Sequence, residues 1–305
     1  AFVATLIPLM IRSGITPAGA GAAVLAGTYG SNFNPGGAHP VMISGMAGIE
    51  PMEFIIENAF TYTILSLVGA LMITVVEVAL RVHKGSGDLG NIQTDTTGGI
   101  SKVNILYAIA PMVPLVILLL GNTYVPAIKM GVAQAMVLGA VITLLVAYAM
   151  DRTNPQEFSK KFFNGMGQGY ADVMGIIIAA GVFAAGLRAT GLIDTFVDVL
   201  KHSNDIARWG GSLGPWIMGT ITGSGDAATM AFNEAVTPHA PEFGMEIKAL
   251  GALAFLTGAL GRTMSPIAGA MVVVAGIAMA NPMDVAKRTA LPCTVAVFVL
   301  ALFMV

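Results

Sequence analysis

The chain has 305 residues, 55% hydrophobic and only 10% charged, with a mean hydropathy of +0.79, too little polar surface for most of it to face water. A formal net charge of −2 carries no signature of a nucleic-acid partner, and a single cysteine, Cys293, excludes an internal disulfide. Neither metal-ligand spacing nor a cofactor motif is present, so the expected class is an all-α integral membrane protein without a cofactor.

Residues 1–11 read as the tail of a membrane segment, closed by Arg12-Ser13-Gly14. An Ala/Gly-rich half-helix follows over 16–30, a break at Ser31-Asn32-Phe33-Asn34-Pro35-Gly36-Gly37, and a resumed helix over 38–48. Residues 60–82 form a full span, and 83–102 is a Gly/Ser/Thr/Asp-rich linker between the halves. Two spans are expected at 103–120 and 133–150, then a polar stretch with a short amphipathic surface helix at 156–163, a span at 173–187 and an interfacial helix at 194–202. Two short apolar arms, 210–221 and 227–236, flank the glycine-rich tip Thr222-Gly223-Ser224-Gly225-Asp226 and suggest a re-entrant hairpin. A second broken helix runs over 247–280, with Arg262-Thr263-Met264-Ser265-Pro266 at its centre, and a last span covers 289–305.

The two broken helices share one register. A shift of 231 positions lays Gly258, Gly261, Pro266, Gly276, Pro282, Met283 and Asp284 on Gly27, Gly30, Pro35, Gly45, Pro51, Met52 and Glu53. At a shift of one less, Ala231, Phe232, Pro238 and Gly244 fall on Ala1, Phe2, Pro8 and Gly14. Paired Gly/Pro-interrupted spans are the sequence pointer to a secondary transporter built from structural repeats. Basic residues Arg81, Lys84, Lys102, Arg152, Lys160 and Lys161 fall on one side, read as cytoplasmic, and Glu50, Glu53, Glu57, Glu242 and Glu246 on the other. Arg12 lies opposite Glu242 and Glu57 opposite Arg288, as copies facing opposite ways require; Lys201 and Arg208 run against this scheme.

The expected organisation is therefore the end of a first inverted repeat at 1–82 (broken helix 16–48), a cytoplasmic linker at 83–102, and a second inverted repeat at 103–305 (hairpin 210–236, broken helix 247–280). The second copy has a polar loop before Ala231-Phe232, whereas the first copy opens at Ala1-Phe2, which leads to the expectation of an N-terminally truncated chain.

Arg262 is the strongest single site candidate, because a charge at mid-span is costly and its fork of donors suits a carboxylate. The alternative is a structural pair with Asp226 or Glu234. The breaks free backbone groups at mid-membrane, so the helices resuming near Pro35 and Pro266 would present N–H groups to an anion. Ser31, Asn32, Asn34, Thr263 and Ser265 can complete the shell. The tip Gly223, Ser224, Gly225 and Asp226 reads as an N–H nest for an anion, with Asp226 taking a coupling H⁺ or Na⁺. His39, beside the first break, is a second candidate for proton coupling. The rival enzyme reading is an intramembrane aspartyl protease with Gly-x-Gly-Asp at 223–226, which needs a second membrane aspartate.

The motifs Thr-Gly-Ser-Gly at 222–225, Leu-Gly-Arg-Thr-x-Ser-Pro at 260–266 and Pro-Met-Asp-Val-Ala-Lys-Arg-Thr at 282–289 resemble the anaerobic C4-dicarboxylate carriers of the DcuC type, within the ion-transporter superfamily. The resemblance implies a scaffold domain and a transport domain, with fumarate, succinate or malate moved by exchange or efflux through a bacterial inner membrane. It further implies that Gly223–Asp226, Arg262–Ser265 and Asn32–Asn34 meet at the substrate, and leaves a homodimer as an assembly to be tested. Asp226 departs from the family pattern, which implies asparagine there; its charge would repel a dianion unless protonated or cation-bound. A monocarboxylate or sugar-acid permease of the same superfamily is the alternative within the class.

Overall fold

The computed structural model describes residues 2–79, 106, 109–151, 154–200 and 204–304. Those residues are helical and turn, with no strand among them, giving the expected all-α membrane fold. Among them, Pro51–Ala79, Val132–Met150, Ile247–Ala278 and Pro282–Phe303 are long and apolar enough to cross a bilayer. The chain divides into two compact units, one of Ala1–Phe33, Asn58–Thr94 and Ile178–Val305, the other of Asn34–Glu57 and Asp95–Ile177.

In the first unit, α1 (Phe2–Arg12) leads to α2 (Pro17–Gly27). Proline at the first helical position has no N–H to leave unpaired, and Thr16 Oγ1 accepts from Gly19 N at 3.2 Å, so the start of α2 is fixed twice. A 3₁₀ turn, Thr28–Phe33, follows α2. Helix α4 (Pro51–Ala79) carries exposed Phe60, Leu67, Leu71, Val75 and Val78 at helical spacing, a face suited to lipid.

The second unit contains α3 (Ala38–Ala47), α5 (Val113–Thr123) and α6 (Val132–Asp151). Its small core is Met52, Leu118 and Ala135. Of the span expected at 103–120, the described part includes a 3₁₀ turn at Ala110–Met112 and continues as α5, with Pro114 at its start. The linker expected at 83–102 lies outside the described residues.

Helix α7 (Pro155–Ala189) is one continuous helix of 35 residues, where a separate surface helix at 156–163 and a span at 173–187 were expected. Its interior glycines each cost about 1 kcal/mol against alanine, and with no proline after Pro155 nothing forces a break. At 1.5 Å per residue it is ~50 Å long, more than a ~30 Å hydrocarbon core requires. It turns by 79° into α8 (Leu192–Leu200) at Gly191, whose φ is +72°.

Next come α9 (Asn204–Thr222) and α10 (Gly225–Ala235), joined at Gly223-Ser224 as a helical hairpin. The first arm is longer than expected, starting at Asn204 rather than 210. Beyond lie α11 (Ile247–Met264), α12 (Gly269–Ala278) and α13 (Pro282–Phe303). Leu250, Leu253, Leu256 and Leu260 make α11 the buried centre of its unit. Since lipid tails are as apolar as leucine, α11 is held by close packing rather than by escape from water. Small residues provide that closeness: a Cβ at Gly219 would sit 2.7 Å from Gly258 O, and Thr229 Oγ1 donates to Ala254 O at 3.3 Å.

Candidate functional site

Proline sets the second break. A residue before proline is pushed out of the α region, and Ser265 is extended (φ −79°, ψ 123°), so α11 ends at Met264 and α12 resumes at Gly269. The break thus lies at 265–268, while Arg262 and Thr263 stay in the last turn of α11, where a cation suits the helix dipole. Ala268, at the N-cap of α12, supplies no side-chain hydrogen bond, leaving first-turn N–H groups for another partner.

The hairpin tip rests on this break. Gly223 has φ +70°, and a Cβ there would stand 3.0 Å from Ala268 N and 3.1 Å from Ile267 C. At Gly225 a Cβ would strike Gly258 O and lie 3.0 Å from Arg262 Cβ. Glycine is what lets the tip touch the break at both positions. Within the tip, Gly223 N donates to Gly219 O (3.0 Å), Ser224 N to Thr222 Oγ1 (3.2 Å) and Ala227 N to Ser224 Oγ (3.3 Å). Much of the expected nest is therefore used internally.

Asp226, in the first turn of α10, faces Arg262 across this contact, with Oδ2 3.5 Å from Nη1. The pair is accessible: the two side chains are 48% and 32% exposed. Opposite unit charges at such a distance attract by roughly 5 kcal/mol at an effective dielectric near 20. After solvation and side-chain entropy, pairs this exposed net about 0–1 kcal/mol. A competing carboxylate can replace Asp226 at that cost. Glu234, the other candidate partner, instead gives its backbone carbonyl to Arg188 Nη2 at 2.9 Å.

Ser265 is fully buried, and its Oγ has no hydrogen-bond partner among the described residues. A buried hydroxyl left unpaired costs about 1–3 kcal/mol. Thr263 Oγ1 is used by Ala259 O (2.8 Å), and Thr263 O accepts from Thr289 Oγ1 (3.1 Å).

The first 3₁₀ turn reaches the same place through a residue sequence reasoning passed over. The buried Tyr29 hydroxyl lies 3.4 Å from Cys293 Sγ and has Thr263 and Arg262 as further polar neighbours. Asn32, three residues on, is buried, whereas Ser31 is exposed and donates to Thr28 O at 2.8 Å. Asn34 and His39 belong to the other unit: Asn34 Oδ1 accepts from Gly36 N (3.0 Å) in a local turn, and His39 is buried in α3.

Two further groups were missed. Tyr62 is 1% exposed, stacks edge-on to Phe33 (centroids 5.6 Å), and its hydroxyl has no hydrogen-bond partner among the described residues. Glu77 of α4 pairs with Arg288 of α13, Oε1 to Nε 2.5 Å, with side chains only 9% and 14% exposed. A lone acid inside an apolar span was the available signal. Among the described residues no cluster of three or more His, Cys, Asp or Glu side chains could hold a metal ion.

Comparison with known proteins adds to this geometry. The family model described as C4-dicarboxylate anaerobic carrier, DcuC, matches residues 1–305. An uncharacterized transporter of Haemophilus influenzae is 45% identical over 284 residues, 89% of this chain and 99% of that protein. The anaerobic C4-dicarboxylate transporter DcuC of Escherichia coli K12 is 26% identical over 302 residues, 96% of this chain but 64% of that transporter. No solved structure matches the chain.

Proposed function

This chain belongs to the C4-dicarboxylate anaerobic carrier (DcuC) family, multi-pass membrane transporters rather than enzymes, and we propose that it moves succinate, fumarate or malate by exchange or efflux with alternating access across a bacterial inner membrane. Its family sets aside the protease reading of Gly-x-Gly-Asp at 223–226. The observation that carries the proposal is the half-exposed Arg262–Asp226 pair at the end of α11, with the unpaired Ser265 hydroxyl in the helix break that follows it.

One substrate carboxylate replaces Asp226 on Arg262, whose guanidinium can hold it by two parallel N–H···O bonds. Ser265 Oγ and the first-turn N–H groups of α12 take part of the same dianion, and Gly223, Ser224 and Gly225 close the tip over it. Ser31, Asn32 and Thr263 remain candidates for the second carboxylate. The displaced Asp226 would repel the dianion, so it takes up H⁺ or Na⁺ as substrate binds; His39 is a second candidate for a coupling proton. The inverted-repeat reading of the two breaks supplies the two faces that alternate access requires.

The test is equilibrium binding of labelled succinate to the purified protein. Arg262→Lys, with one ammonium in place of a fork, weakens binding by about tenfold or more, a loss of ~1.5–3 kcal/mol. Asp226→Asn, which removes the competing carboxylate, tightens it at neutral pH. Unchanged affinity in both variants would return Arg262 to a structural role.

A further inference from the structure

A groove of about 460 Å³ lies between the α7–α8 elbow and the hairpin. Its walls include Phe183, Leu187, Leu192, Val199, Met218 and Phe232, so α7, α8 and both hairpin arms contribute. Thr195 is the one lining residue with a polar side chain, and its Oγ1 already donates to Gly191 O of its own helix at 3.0 Å. The groove therefore offers nothing to water, and its size falls within the ~300–1,000 Å³ of ordinary ligand sites.

Among the described residues a cation, Arg188, stands at the rim. Arg188 directly follows the lining residue Leu187, is exposed, and sits at the end of α7, where the chain turns by 79° into α8. Its Nη2 donates to Glu234 O (2.9 Å) at the end of α10, which fixes the guanidinium against the hairpin. Helix α8 is strongly amphipathic; Asp194 and Asp198 are both exposed on it, Asp198 lying one turn after the lining residue Thr195. A dry channel with a cation beside it matches one occupant in chemistry.

The geometry points to a binding site for an anionic phospholipid, with an acyl chain in the groove and the phosphodiester on Arg188. The two free phosphate oxygens match the guanidinium fork. Because the chain lies against Met218 of α9 and Phe232 of α10, the lipid braces both arms of the hairpin that carries the Gly223–Asp226 tip.

Native mass spectrometry of the purified protein tests this, titrating phosphatidylglycerol and a diacylglycerol of identical acyl chains, which lacks the phosphodiester. The wild type binds phosphatidylglycerol about tenfold more tightly, the worth of one charge-assisted contact. Arg188→Gln abolishes that preference while the acyl chain still binds. Ala231→Phe, which fills the groove, weakens both lipids by about tenfold or more. Circular dichroism and a single elution peak check its fold, and the smaller Ala231→Val serves if it fails. Retained preference in Arg188→Gln overturns the headgroup assignment and with it the proposal. So does equal lipid binding in a folded groove-filling variant, or a groove-filling variant that loses a dimer and no lipid, which would make a second copy the occupant.

Discussion

Replacing Arg288 by methionine separates a structural ion pair from an exchangeable one. Glu77 and Arg288 are joined at 2.5 Å with side chains 9% and 14% exposed, and a Cβ at Gly19 would lie 2.9 Å from Glu77 Oε2, so the carboxylate is wedged against α2. Removing one partner of such a pair costs about 3–5 kcal/mol, because the other charge stays buried without its opposite charge. With about 2 °C of melting temperature per kcal/mol in a chain this long, the expected fall is roughly 6–10 °C. The assay is thermal unfolding in detergent by intrinsic tryptophan fluorescence. The double variant Glu77→Gln, Arg288→Met leaves no lone charge and recovers most of the loss, since replacing both partners of a buried pair is often neutral. A single variant melting within 1–2 °C of wild type, less than ~1 kcal/mol, would refute the assignment of this pair as buried and structural.

Gly225→Ala forces a methyl group onto Gly258 O, a backbone atom that cannot rotate away, and against Arg262 Cβ. It lowers stability by about 1–3 kcal/mol, read as chemical or thermal unfolding, and weakens succinate binding because the tip lifts off the break. Ser265→Ala removes a buried hydroxyl with no partner among the described residues, so it raises the stability of the ligand-free protein by up to about 1–3 kcal/mol while lowering succinate affinity. Lower stability with unchanged affinity would mean that Ser265 serves packing alone.

Much of the local geometry of the candidate site is legible in residue order. Arg262 stands out as a charge in an apolar run, Pro266 fixes where the helix must stop, and the Gly223-Ser224-Gly225 tip can only be a tight turn. The break itself begins later than expected, at Ser265, because proline acts on the residue before it and leaves Arg262 helical. Tyr29 and Tyr62 were not legible, since a tyrosine in an apolar helix looks the same whether its hydroxyl meets lipid, a thiol or a cavity. The single helix α7 was misread as two because polar residues over 151–169 resemble a surface segment, although helical propensity alone carries the chain through them. Whether Arg262 meets Asp226 or Glu234 depended on how two helices pack across the hairpin, which spacing does not encode.

The most direct test of the central claim is counterflow in proteoliposomes loaded with unlabelled succinate, following entry of labelled succinate with fumarate, lactate and gluconate as competitors. The account predicts saturable uptake that fumarate blocks and the two monocarboxylates do not, with a weaker apparent affinity in Arg262→Lys. Entry of lactate or gluconate without succinate would contradict the dicarboxylate assignment, and succinate uptake indifferent to Arg262→Lys would contradict the site.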